Sequence, residues 1–262
     1  MPVYLIVAVF GLLIGSFLNV CIYRLPKGLS IVTPPSRCPY CGNPVKAVDN
    51  IPVLSWILLL GSCRWCASPI SARYPAIEAL NSTLYVLIFH QYGLGLHSYA
   101  FMLFASALIV ASFIDFDHQI IPDEISLGGI PIGILLGWLV LKDPFSRNLT
   151  MGWQTSLIGA IAGFGLFASI AIGSKLLLGR EGMGAGDVKL MGAIGAFTGW
   201  KGVLLTTLAG SFAGSVVGLL LIVFKGKGRL TKIPFGPYLA LGALVAIIAG
   251  QEILRKYIYG RF

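Results

Sequence analysis

The chain has 262 residues, 56% of them hydrophobic and 11% charged, with a formal net charge of +9. A soluble domain carries about 25% charged residues, so there is too little charge here to coat a water-facing surface, and lipid must solvate much of the exterior. The basic residues lie scattered in loops between apolar runs, a pattern that sets membrane orientation and argues against nucleic-acid binding.

The expectation is an all-α polytopic membrane protein with about eight transmembrane helices and a cytoplasmic four-cysteine, zinc-binding loop domain. The first span covers about 3–23; it has no basic n-region and no small-residue cleavage signal, so it reads as a retained helix and not a signal peptide. The loop domain follows over 24–75, and a bundle of the remaining spans over 76–262. The loop holds Cys38-Pro-Tyr-Cys41 and Cys63-Arg-Trp-Cys66, two knuckles at close to zinc-ribbon spacing. Each knuckle sets two thiolates on one side of a tight turn, and four sulfurs leave no open coordination position, so the Zn2+ would be structural. Disulfides or a redox motif are the rival reading, disfavoured in a reducing cytoplasm. Cys21, inside the first span, reads as a small buried apolar residue. The run Ile51 to Leu60 is too short to span, and is expected to lie on the membrane or to pack into the loop domain.

Further spans are placed at about 76–96, 98–114, 125–141, 155–177, 188–200, 202–224 and 236–250. At the end of the third, Asp115, Asp117, Asp123 and Glu124 fall close together, and Asp187 opens the sixth after Gly182-Met-Gly184-Ala-Gly186. Ionisable residues at membrane depth are functional candidates by default. Two carboxylates sharing a site cannot both ionise easily, so one keeps a proton while the other acts as a base, as amide hydrolysis requires. Asp115 and Asp187 are therefore the candidate catalytic pair; simple termination of helices at the interface is the competing reading. For Asp117, Asp123 and Glu124 a solvated loop is the expectation, because Pro122 breaks the helix there. The glycines before Asp187 would let the backbone bend and a substrate strand approach. Gly129, Gly133 and Gly137, Gly159 and Gly163, and Gly210, Gly214 and Gly218 repeat at helix-packing spacing.

With eight spans, one face collects the loops 24–75, 115–124, 178–187 and 225–235 and more than twice as many lysines and arginines as the other. That face is expected to be cytoplasmic, with both termini outside, although the basic tail at Arg255, Lys256 and Arg261 pulls the other way.

These residues resemble the type IV prepilin peptidase family, the bifunctional leader peptidases and N-methyltransferases of pilus and type II secretion systems. The resemblance runs through Gly15-Ser-Phe-Leu-Asn-Val20, Tyr23-Arg-Leu-Pro26, both cysteine knuckles, Asn50-Ile-Pro-Val-Leu-Ser55 and Arg73-Tyr-Pro75 with Glu78. It continues in Ile114-Asp-Phe-Asp-His-Gln119, Ile121-Pro-Asp123, Glu181-Gly-Met-Gly-Ala-Gly-Asp-Val-Lys189 and Ile233-Pro-Phe-Gly-Pro-Tyr238. It implies a bacterial inner-membrane enzyme with catalytic residues Asp115 and Asp187. Such an enzyme would cut a basic leader from a type IV prepilin or pseudopilin at the cytoplasmic face, after a glycine. It would then methylate the new amine, usually of phenylalanine, with S-adenosyl-L-methionine. An acidic cluster on a basic face would attract such a leader, weakly and with salt sensitivity. No glycine-rich strand-to-helix turn of the nucleotide-binding kind is present. By resemblance Gly61 and Glu78 are the candidates for holding the methyl donor, against a packing glycine and a structurally paired glutamate. His118 reads as a tuning residue or a solvated loop histidine. Two other classes compete: a transporter with a carboxylate ion path, which lacks the expected repeated half, and a zinc-anchored assembly protein without chemistry.

Overall fold

The computed structural model describes residues 1–179, 182–225, 234–257 and 260. Arg180 and Glu181, the basic loop with Lys227, Arg229 and Lys232, Ile233, and Arg261 lie outside the described residues. The chain is mainly helical: α1 (Pro2–Arg24), α2 (Leu54–Leu58), α3 (Arg73–Tyr92), α4 (Leu96–His118), α5 (Asp123–Leu139), α6 (Gly152–Leu178), α7 (Ala185–Lys225) and α8 (Gly236–Tyr257). A short antiparallel pair, β1 (Lys142–Asp143) and β2 (Ser146–Thr150), lies between α5 and α6. Among the described residues, α1, α4, α6, α7 and α8 are long and apolar enough to cross a membrane. Their all-round apolarity is the composition of helices solvated by lipid on one side and by other helices on the other.

Two compact units divide the chain, Met1–Gly93 with Met102–Val110, and Leu94–Phe101 with Ala111–Phe262. In the first, α1 and α3 run antiparallel along a seam of small residues. A Cβ on Gly11 would lie 2.6 Å from the Ser82 Cα, and one on Gly15 would lie 2.7 Å from the Glu78 Cα. The backbones touch, and polar side chains use that closeness. Asn81 Nδ2 donates to the Gly11 carbonyl at 2.7 Å, and the Ser82 hydroxyl to that of Ala8 at 2.8 Å. The Ser106 hydroxyl donates to Asn81 Oδ1 at 2.8 Å and lies 3.0 Å from the Tyr85 hydroxyl, so this buried network is closed. Cys21 is buried, as a small apolar residue should be.

In the second unit α6, α7 and α8 pack in sequence, with α5 also against α7. The expected glycine seams are used: Gly159 and Gly163 meet the α7 backbone at Gly195 and Met191, Gly133 meets Ala196 and Phe197, and Gly210 meets Tyr238. The sequence places separate spans at 188–200 and 202–224. The structure has instead one element, α7, with non-helical geometry at Gly199 (φ 69°, ψ 178°), a residue without a Cβ penalty lying two positions before the expected break.

Candidate active site and thiol cluster

Asp115 sits in the last turn of α4, only 6% exposed. Its Oδ2 accepts the backbone N–H of Gly236, the first residue of α8, at 2.9 Å. That amide is one of the unpaired donors at a helix start, and a carboxylate is its natural partner. A Cβ at position 236 would lie 2.8 Å from the same oxygen, so the approach depends on glycine.

Asp187 occupies the third position of α7, with Gly184 just before the helix. Its carboxylate accepts a backbone hydrogen bond from Gly184. A third-position acid reaching back to the capping residue is half of a capping box, and the helix dipole favours its charge. Asp187 lies within Coulombic reach of Asp115. Ile121 packs between their supports: Cβ atoms on Gly186 and Gly236 would meet it at 3.2 Å each. The structure thus brings the two sequence-predicted aspartates to one site.

Asp117, Asp123, Glu124 and His118 are exposed, as a solvated segment should be. Asp123 is nonetheless paired with Lys189 at 2.8 Å, which ties the start of α5 to the first turns of α7. Nothing local in the sequence marks Gly236 or Lys189 for these contacts. Both lie in motif stretches, but their partners are distant in the chain.

The four cysteines converge in the first unit. All are free thiols, and their sulfurs lie within 4.8 Å of one another. The two knuckles are built alike. Gly42 N–H bonds to the Cys38 carbonyl and Ala67 N–H to that of Cys63, each at 2.9 Å. Isolated bridges close them, Arg37 with Pro44 and Ser62 with Pro69. Gly42 and Ala67, each directly after the second cysteine, both have positive φ. Backbone N–H groups of Cys41 and Tyr40 aimed at the Cys38 sulfur push its thiol down to about 6. The Ser68 hydroxyl lowers Cys66 likewise. Tetrahedral Zn–S bonds of about 2.3 Å imply S···S edges of about 3.8 Å, and Cys38 Sγ to Cys66 Sγ is 3.8 Å. The thiols fit a zinc ion. Arg64 forks onto Asp49, with both carboxylate oxygens 2.9 Å from its Nε, and Lys46 lies over the Trp65 ring.

Glu78 is buried; its Oε2 accepts the Val53 N–H at 2.7 Å, and Ser16 also bonds to it. A carboxylate has acceptor capacity beyond these two, and its charge complements a sulfonium cation. Gly61 has φ +67° and packs against the Trp56 ring, which a Cβ would meet at 2.9 Å, so it offers only backbone to a ligand.

Long apolar helices mark a membrane protein, and it carries two neighbouring carboxylates and a four-thiol cluster. Residues 9–92 match the Bacterial Peptidase A24 N-terminal domain and residues 102–219 the Type IV leader peptidase family. Similar proteins include prepilin leader peptidase/N-methyltransferases of Aeromonas hydrophila, 37% identical over 97% of this chain and 93% of that one, and of Xanthomonas campestris pv. campestris, 36% identical over 95% and 92%. A Pseudomonas aeruginosa protein of the same name is 34% identical over 95% and 91%. The chain belongs to the prepilin leader peptidase/N-methyltransferase family. No solved structure gives a significant match.

Proposed function

We propose that this chain removes the basic leader from type IV prepilins or pseudopilins by a two-aspartate mechanism and then N-methylates the exposed amine. The observation that carries the peptidase half is the Asp115 carboxylate clamped by the Gly236 amide with Asp187 in Coulombic reach. One carboxylate, ionised, takes a proton from water as the oxygen attacks the scissile carbonyl carbon. The other, protonated, hydrogen-bonds the carbonyl oxygen as it gains charge. The tetrahedral species then collapses, the C–N bond breaks, and the departing nitrogen takes up a proton from the pair. Which aspartate starts protonated belongs to the pair and not to either residue.

The same reading takes the chain as eight spans in the bacterial inner membrane, with residues 24–75 and the aspartates at the cytoplasmic face. Family membership, the break at Gly199 and the charge asymmetry support it. Zinc held by Cys38, Cys41, Cys63 and Cys66 would stabilise the loop. Glu78 and the Gly61 backbone would hold S-adenosyl-L-methionine, which supplies an electrophilic methyl group. The amine must be deprotonated and held in line with it.

The test incubates a prepilin with the full chain in lipid, as wild type, Asp115→Asn and Asp187→Asn, with and without S-adenosyl-L-methionine. Mass spectrometry then reads the product N-terminus. Cleavage lost in either folded variant, and a methyl mass added by wild type, is the expected outcome. Cleavage by both variants would overturn the site.

A further inference from the structure

Residues 50–63 contain no charged side chain, yet five large apolar residues on this stretch are exposed: Ile51, Leu54, Ile57, Leu58 and Leu60, the last two at 80% and 89%. Soluble loops do not leave such a ridge in water, and a contiguous apolar patch marks an interaction surface. The question is what covers it, and the way the segment is fastened answers that.

The stretch is hung from α3 and, through it, from α1. Val53 adopts φ +60° and ψ −50°, an outlier for a β-branched residue that persists only where its surroundings hold it. Here Glu78 Oε2 accepts its N–H at 2.7 Å, and Glu78 in turn bonds to Ser16 and packs on Gly15. The Ser55 hydroxyl closes the turn from within, accepting from the Ile51 N–H and donating to the Val48 carbonyl. Position along α1 converts this clamp into depth. α1 ends at Arg24, and Ser16 lies eight residues before it (24 − 16), about 12 Å down the axis at 1.5 Å per residue. Glu78 is likewise past the first turn of α3, which begins at Arg73. The Val53 amide is therefore fixed well inside the end of a helix apolar enough to cross the membrane, and that helix exposes large apolar side chains of its own at Phe10, Leu13 and Phe17. Trp65 with Lys46 over its ring follows the charge-free stretch, the kind of pair that sits at headgroup level.

We propose that residues 51–60 form a re-entrant element of the membrane, with Leu54, Ile57, Leu58 and Leu60 against lipid acyl chains and the Glu78–Val53 bond setting its depth. Most of its backbone N–H groups are met within the turn and by Glu78, which lowers the cost of placing non-helical chain at membrane depth. The thiol cluster is thereby held against the bilayer instead of swinging on a tether. This inference rests on α1 spanning the membrane and is independent of the peptidase reading.

The test places para-trifluoromethylphenylalanine at position 58 of the full chain in lipid nanodiscs, and separately at position 60. The same label goes at exposed Tyr40 as the aqueous reference and at Leu13 as the lipid reference. Fluorine NMR then compares broadening by dissolved oxygen, which concentrates in hydrocarbon, with broadening by a water-soluble nickel chelate. The expected oxygen-to-nickel ratio at 58 and 60 is several-fold above that at 40 and close to that at 13. A ratio matching position 40 at both sites would overturn the proposal, and so would shielding of both sites from both reagents, which would mean a protein surface covers the ridge.

Discussion

The thiol cluster and the aspartate site solve the same problem, bringing distant side chains to one point, by different routes. The cysteines arrive as two pre-formed knuckles with matching hydrogen bonds and matching positive-φ residues, so each half is specified within a few residues. Asp115 and Asp187 arrive singly, one at the end of α4 and one in the first turn of α7. The amide that grips Asp115 belongs to a third helix, α8. Local chemistry builds the cluster; helix packing builds the site. The first should tolerate damage to the bundle, and the second should not tolerate even a methyl group.

If the two sites are built independently, their activities should separate by mutation. Asp187→Asn is expected to lower cleavage by at least about 10²–10⁴-fold, the usual worth of general acid–base groups. Zinc content and methylation of a pre-cut pilin should stay intact in that variant, checked by metal analysis and mass spectrometry. The wild-type rate should fall on the acid limb, where the base is protonated, and on the alkaline limb, where the acid has lost its proton. A flat pH–rate profile with chemistry limiting would remove shared acid–base work.

Cys38→Ser and Cys63→Ser are expected to reduce zinc from one per chain to none and open residues 24–75 to protease, because metal binding is coupled to folding. Cleavage should suffer less than in the aspartate variants. Full zinc retention would show that the cluster does not act as one four-sulfur site.

Gly236→Ala tests the packed site with a single methyl group. Its Cβ would stand 2.8 Å from the Asp115 oxygen, so the carboxylate must shift, and a misplacement of about 1 Å costs about 10²-fold in rate. Unchanged cleavage kinetics would mean that the amide clamp is not needed. The smallest effect is expected for Lys189→Ala. The Asp123 side chain is 60% exposed and Lys189 30%, and exposed ion pairs contribute little. Cleavage should stay within a few-fold of wild type, and a loss as large as that of Asp187→Asn would place Lys189 in the chemistry.

Much was legible in the sequence because its signals are local. Membrane character follows from too little charge, the knuckles from Cys-x-x-Cys spacing, and the two candidate aspartates from acids at the ends of apolar segments. Tertiary structure alone decided the rest, because those facts are pairings across the chain. A glycine in Phe235-Gly236-Pro237 carries no sign that its amide faces Asp115. Asp123 reads as solvated until Lys189 is beside it, and a pairing for Glu78 has no named partner until the Val53 amide meets it. Composition and periodicity specify what each segment must be solvated by; which polar group meets which is settled only when helices pack closely enough for one residue's missing Cβ to become another's hydrogen bond.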